Sequence, residues 1–275
     1  MERISSRQNP LVQRFRALAR GATGDRRDDR LQLLLDGEHL LREAIASGVQ
    51  IDVAAFVDGA RESSIASLAA ELASRGAQVI TVTTPVLEAM SPVRTPSGVV
   101  AIGRLRETPL DVALEKQPQM IFMLRDVQDP GNVGAIVRAG EACGVTGVVA
   151  GEGTADPYGW KALRGSMGST FRIPVASRIS LLDAARRAKA RGVRLVATVP
   201  RSGTPLHEAD LRQPSAVLLG GEGSGLPQDL LDQADVRLTI PMRAPVESLN
   251  VSIAAALIAY EASRQRAGVD RGSLR

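Results

Sequence analysis

The residues of this 275-residue chain best suited to chemistry gather in three turns. The first reads Asp129-Pro130-Gly131-Asn132-Val133-Gly134-Ala135-Ile136-Val137-Arg138. Gly131 permits a tight turn and Asn132 can cap a helix, roles that any strand-to-helix junction could use. Arg138 needs more explanation. It is a charge in an otherwise apolar run, about two turns into the expected helix, and a guanidinium is a planar fork for phosphate or carboxylate. The second turn is Leu219-Gly220-Gly221-Glu222-Gly223-Ser224-Gly225-Leu226. Its glycines let backbone approach a ligand closely and offer amides and carbonyls to a base or a ribose, at an entropic cost a plain loop rarely bears. The third runs Ile240-Pro241-Met242-Arg243-Ala244-Pro245-Val246-Glu247-Ser248-Leu249-Asn250-Val251-Ser252. Ser248 and Asn250 bring a hydroxyl and an amide, although each taken alone reads as a cap for the helix that follows.

The elements that must position these turns follow from the apolar pattern. Each turn comes at the C-terminal end of an expected strand: Met120 to Leu124, Ala216 to Leu219 and Val236 to Ile240. Open α/β sheets bind ligands at that edge. Further strands are expected at Gly147 to Ala150, Phe171 to Val175 and Val193 to Thr198, with helices from about Val133, over Leu181 to Ala190 and over Leu249 to Ala262. Short apolar runs alternating with helices indicate an α/β fold with a mostly parallel sheet covered on both faces. Ahead of it, Asn9-Pro10 opens a helix with apolar Leu11, Phe15 and Leu18, and a second helix spans Leu40 to Ile45. A strand at Ile51 to Val57, a helix through Ile65, Leu68 and Leu72, and strands at Val79 to Val82 and Val99 to Ile102 complete a small α/β domain. Polar, proline-marked stretches at Arg106-Glu107-Thr108-Pro109 and Lys116-Gln117-Pro118-Gln119 separate the halves. The expected division is 1–106, a linker over 107–119, and 120–265.

Composition narrows the function. A single cysteine, Cys143, forbids an internal disulfide, and with only His39 and His207 in separate segments no metal cluster is expected. Cys143 reads as a small buried hydrophobe, and Tyr158 and Trp160 as core or as contacts to a base or partner. No apolar run reaches the roughly 18 residues of a membrane span, and the N-terminus lacks a signal peptide's apolar core, so a cytoplasmic protein is expected. The formal net charge is +4, and residues 1–30 alone hold four more arginines than acids. Basic excess at one end suits phosphate, because counterion release favours cationic surfaces on nucleic acid; a solvated arginine-rich face is the alternative.

In order and spacing the three turns resemble the motifs of the SpoU (TrmH-like) branch of the SPOUT RNA 2′-O-ribose methyltransferases. The resemblance covers most of residues 120–262, including Asp156-Pro157-Tyr158-Gly159-Trp160-Lys161-Ala162-Leu163-Arg164-Gly165-Ser166-Met167-Gly168. Through Ser6-Arg7-Gln8-Asn9-Pro10 and Gly37-Glu38-His39-Leu40 the first half resembles the RNA substrate-binding domain of rRNA-modifying members. The sequence departs from the family at Asp129, where asparagine is common, and at Ala244-Pro245-Val246-Glu247, where a glycine often follows the basic or small residue.

The resemblance implies methyl transfer from S-adenosylmethionine to a ribose 2′-hydroxyl, a homodimer, and a C-terminal trefoil knot. It places cofactor contacts at Gly220, Ile240 and Leu249, with Thr198 and Met242 nearby. It places Arg138, Asn132, Glu222, Ser248 and Asn250 at the reaction. A guanidinium stays protonated at any working pH, so Arg138 suits a clamp on RNA phosphate better than a general base. The preceding domain favours rRNA over tRNA as substrate. Rival readings are weaker: no Gly-x-Gly-x-Gly turn follows an early strand, and no Gly-Lys-Ser/Thr marks a P-loop. A non-catalytic RNA-binding or ribosome-assembly factor would tolerate loss of Arg138, Glu222, Ser248 and Asn250, all present here.

Overall fold

The computed structural model describes residues 2–21, 30–59, 63–115, 117, 120–221, 223 and 225–267. The first half comprises β1 (Glu2–Ile4), α1 (Pro10–Ala19), β2 (Arg30–Asp36), α2 (Glu38–Ala46), β3 (Gln50–Val57), α3 (Ser63–Ser74), β4 (Gln78–Val82), α4 (Thr84–Met90) and β5 (Val99–Arg106). There follow α5 (Leu110–Ala113), β6 (Met120–Arg125), α6 (Pro130–Ala142), β7 (Gly147–Gly151), α7 (Trp160–Ser166), α8 (Ser169–Arg172), β8 (Val175–Ile179), α9 (Leu181–Ala190) and β9 (Arg194–Thr198). The chain continues with β10 (Thr204–Pro205), β11 (Ser215–Gly220), α10 (Gln228–Leu231), β12 (Val236–Thr239) and α11 (Val251–Ala267). It divides into two compact units, Met1–Glu107 with Tyr158–Phe171, and Thr108–Pro157 with Arg172–Arg275.

The first unit holds a mixed sheet in the order β1-β4-β3-β5-β2, with β5 antiparallel to both neighbours. Asn9 caps α1, accepting the Leu11 amide at 2.9 Å, and Pro10 fills the first turn where its missing N–H costs nothing. Val12, Phe15 and Leu18 of α1 pack with Val86, Leu87 and Met90 of α4 over the sheet. Trp160 joins this core, and its indole N–H donates to the Ala19 carbonyl at 2.9 Å. Tyr158 is also buried, so both aromatics serve packing. His39 and His207 are exposed.

The second unit is built on seven strands in the order β10-β12-β9-β11-β6-β7-β8, all of whose pairings are parallel. Alternate residues serve opposite faces. Ile121, Met123, Leu195, Ala197, Ala216 and Leu218 meet α5, α9 and α10 on one side. On the other, Gly140 of α6 closes on Phe122, and α11 packs against α6 and β11. Residues buried on both faces explain why these strands read as continuous apolar runs rather than alternating ones.

Three expectations need correction. Phe171 to Val175 is not a strand: residues 169–172 form a helical turn, with the Phe171 amide donating to Gly168, and pairing with β7 begins only where Val175 meets Val148. Asn132 does not cap α6, because Asp129 does, accepting the Gly131 amide at 2.8 Å. Cys143 is half-buried at the C-cap of α6 rather than in the core, and partial burial raises its thiol pKa.

Candidate active site

The chain runs outward from β6 through β7 to β8, then crosses to place β9, β11, β12 and β10 on the other side of β6. The boundary between β6 and β11 is therefore the switch point where connections leave in opposite directions, and ligands bind outside the strand ends there. Register brings the relevant ends together: Gly220 pairs with Arg125, and Thr198 with Leu238. All three chemistry-bearing turns consequently leave the sheet at one edge, although they are far apart in sequence.

A cavity of about 400 Å³ opens between the second and third turns. Its lining includes Thr198, Val199 and Pro200 after β9, Leu219, Gly220, Gly221, Gly223 and Gly225 of the glycine turn, and Ile240, Met242, Ser248 and Leu249 of the third turn. Val251 and Ala254 of α11 complete that side. The five residues singled out for cofactor contact, Gly220, Ile240, Leu249, Thr198 and Met242, thus share one cavity with Ser248. The glycines are required by space. A Cβ on Gly220 would come within 2.7 Å of the Gly225 backbone, and one on Gly221 would overlap the Asp126 carbonyl oxygen. Gly221 and Gly225 form an antiparallel bridge that closes the turn on itself. The Thr198 hydroxyl donates to the Leu218 carbonyl at 2.9 Å, fixing the end of β9 to β11.

Beside the cavity, the Asn250 side-chain amide donates to the Asn132 side-chain oxygen at 3.1 Å, joining the third turn to the first. The Asn250 side-chain oxygen accepts from the Ser252 amide and hydroxyl at 2.9 and 2.6 Å. Asn250 therefore caps α11 and ties it to α6 at once: the capping role expected of it is real, and it is not the whole role. Ser248 is exposed at the cavity rim. Arg138 is exposed on α6, makes no hydrogen bond or ion pair among the described residues, and is not among the cavity-lining residues. Glu222 lies outside the described residues, as do residues 22–29 of the basic N-terminal stretch.

Two features escaped the sequence. Asp126, the residue after β6, has a left-handed backbone with φ 58°, which no composition or spacing signals. Val199 and Pro200 line the cavity from a strand end that carries no motif; only its place beside β11 reveals them.

Comparison with known proteins identifies the family. Residues 119–260 match the model of the SpoU rRNA Methylase family, and residues 2–101 match that of the MRM3-like substrate binding domain. A 23S rRNA guanosine 2′-O-methyltransferase, RlmP of Bacillus subtilis, is 32% identical over 94% of this chain and 98% of its own length. Among solved structures, an AdoMet-bound rRNA methyltransferase from Sinorhizobium meliloti superposes with a TM-score of 0.85 at 29% identity, covering 96% of this chain and 97% of that one. The SpoU methyltransferase AviRb from Streptomyces viridochromogenes, in complex with AdoMet, gives 0.80 at 27% identity over 94% of this chain and all of that one. This α/β chain, with its parallel C-terminal sheet and its smaller N-terminal unit, belongs to the SpoU rRNA methylase family.

Proposed function

We propose that this protein transfers a methyl group from S-adenosylmethionine to a ribose 2′-hydroxyl of ribosomal RNA. The observation that carries the reading is one cavity at the C-terminal edge of the parallel sheet, walled by the second and third turns and the end of β9, with the first turn hydrogen-bonded alongside through Asn132 and Asn250. The cavity fits the cofactor. Its volume lies in the range of small-molecule sites, and its walls pair apolar Val199, Leu219, Leu238, Ile240, Met242 and Leu249 with backbone that a Cβ would obstruct. The described lining carries no charged side chain, so no cation opposes a sulfonium. Gly220, Ile240 and Leu249 would hold the cofactor, with Thr198 and Met242 beside them. Bound there, it supplies an electrophilic methyl group.

The chain's own residues do the rest. Arg138 holds an RNA phosphate as a bidentate clamp and so fixes the neighbouring 2′-hydroxyl in line for attack. Asn132 and Asn250, bonded to each other, and Ser248 on the rim supply hydrogen bonds that orient the hydroxyl, and the adjacent RNA phosphate takes up its proton as the oxygen gains the methyl group. By the family motif, Glu222 belongs to the same catalytic set. Residues 1–106 serve as the RNA substrate-binding domain, residues 107–119 as the linker, and 120–265 as the methyltransferase domain with a trefoil knot. Ribosomal RNA is favoured over tRNA by RlmP, whose name gives 23S rRNA, and by the N-terminal match to a substrate-binding domain.

The enzyme works as a cytoplasmic homodimer. Ile253, Leu257 and Tyr260 of α11 are 53%, 43% and 65% exposed, and their spacing sets them on one face, opposite buried Val251, Ala255, Ile258 and Ala262. A helix apolar on two faces needs a second partner, and another copy of the chain supplies it. Among the described residues no helix is long and apolar enough to cross a membrane, and no group of side chains is arranged for a metal. Titrating S-adenosylmethionine by calorimetry and then following labelled methyl transfer into ribosomal RNA tests the reading. Micromolar binding with transfer is expected; binding of RNA without either would leave an assembly factor.

A further inference from the structure

We infer that Asp126 is a positioning residue: its left-handed backbone, and not its carboxylate, locks the turn bearing Asn132 against the glycine wall of the cavity. The inference rests on the methyltransferase reading and deepens it. Asp126 follows directly on Arg125, the last residue of β6, and three residues before the cap of α6. Its φ of 58° is a conformation that aspartate tolerates, that glycine adopts freely and that β-branched residues essentially never take.

The reason for that conformation is visible around it. The Gly221 amide donates to the Arg125 carbonyl at 2.7 Å, and the Asp126 carbonyl oxygen occupies the space a Cβ on Gly221 would need. Backbone therefore lies on backbone at the cavity wall. On the other side, the Ala155 amide donates to the Val127 carbonyl at 2.9 Å, and the Thr154 hydroxyl donates to the Leu124 carbonyl at 2.9 Å. The left-handed residue thus sits where three loops cross, with hydrogen bonds pinning the chain on both flanks.

The carboxylate does much less. It accepts from Gln128 at a long 3.4 Å and faces Arg125 at 3.7 Å, in a partly exposed pair of the kind that contributes little. Asp126 is not among the cavity-lining residues. A residue forced to negative φ would swing the carbonyl away from Gly221 and loosen both the cavity wall and the approach to Asn132.

The test compares Asp126→Val, Asp126→Gly and Asp126→Asn in the full chain, by S-adenosylmethionine calorimetry and by hydrogen exchange of the segment containing Gly221. Asp126→Val is expected to weaken the cofactor about tenfold, the scale of a side chain held in an unfavourable backbone region, and to speed exchange at Gly221. Asp126→Gly and Asp126→Asn are expected to restore both readings. Should the valine variant fail to fold, Asp126→Ala makes the same comparison more mildly. Wild-type behaviour of the valine variant, or equal damage in the glycine and asparagine variants, overturns the inference. Wild-type protein that binds no S-adenosylmethionine instead overturns the methyltransferase reading, while the exchange measurement still reports on the lock.

Discussion

Arg138 stands exposed on α6, and Asn132 six residues before it is bonded to Asn250; in the proposed mechanism these residues act on the RNA and leave the cofactor to the cavity. Arg138→Ala is expected to lower kcat about a hundredfold through lost orientation of the hydroxyl, with calorimetric cofactor affinity unchanged. Near-normal turnover would remove Arg138 from the mechanism. Asn250→Ala removes both the cap of α11 and the bond to Asn132, and should cost about 1 kcal/mol in urea unfolding. Asn250→Ser keeps a capping oxygen and should recover that stability without recovering activity. At this scale the sequence was legible wherever a residue type has few uses. The amides of the first and third turns each read as helix caps, which Asn250 is and Asn132 is not; the glycines of the second turn declared themselves. Asp126 did not, because backbone handedness depends on what lies across the cavity wall, here Gly221.

Among the elements, α11 carries the most consequences, since its N-terminus borders the cavity and its C-terminal turns secure a distant loop. Glu261 accepts a two-point contact from Arg264 at 2.7 and 2.8 Å and a further bond from Gln265 at 2.8 Å. Gln265 in turn receives the Leu211 amide at 2.8 Å and donates to the Ala209 carbonyl at 2.9 Å. The Arg264 contact, then Gln265, hold the Glu261 carboxyl at about 2 against an ordinary 4.5. A depressed acid adds stability that is fully present above pH 4.5 and is lost as the pH falls towards 2. Glu261→Gln should therefore lower the melting temperature at pH 7 and flatten its decline below pH 4.5; an unchanged acid limb would contradict this. Elements with a clear apolar period or a cap were legible, α9 and α1 among them. β2 was not, because its run of leucines carries no strand preference of its own and becomes a strand by pairing antiparallel with β5. β1 was hidden in a short polar segment that adds to β4 at the sheet edge.

For the molecule as a whole, the exposed face of α11 sets the prediction. Leu257→Glu, a charge in the middle of that apolar stripe, should convert a dimer to a monomer in sedimentation while leaving the melting temperature of the unit's core nearly unchanged. A monomeric wild type would end the dimer proposal. The fold class was readable from alternating apolar runs and helices. The packing of Tyr158–Phe171 with the first unit was not, since Trp160 finds its partner at Ala19, far away in sequence. The decisive measurement incubates the purified protein and labelled S-adenosylmethionine separately with ribosomal RNA and with tRNA, then maps ribose methylation nucleotide by nucleotide. A methylated 2′-hydroxyl at a defined site in ribosomal RNA, formed far more slowly with Arg138→Ala, is the expected result. Label that reaches only tRNA, or only base atoms, or no RNA at all, would contradict the account.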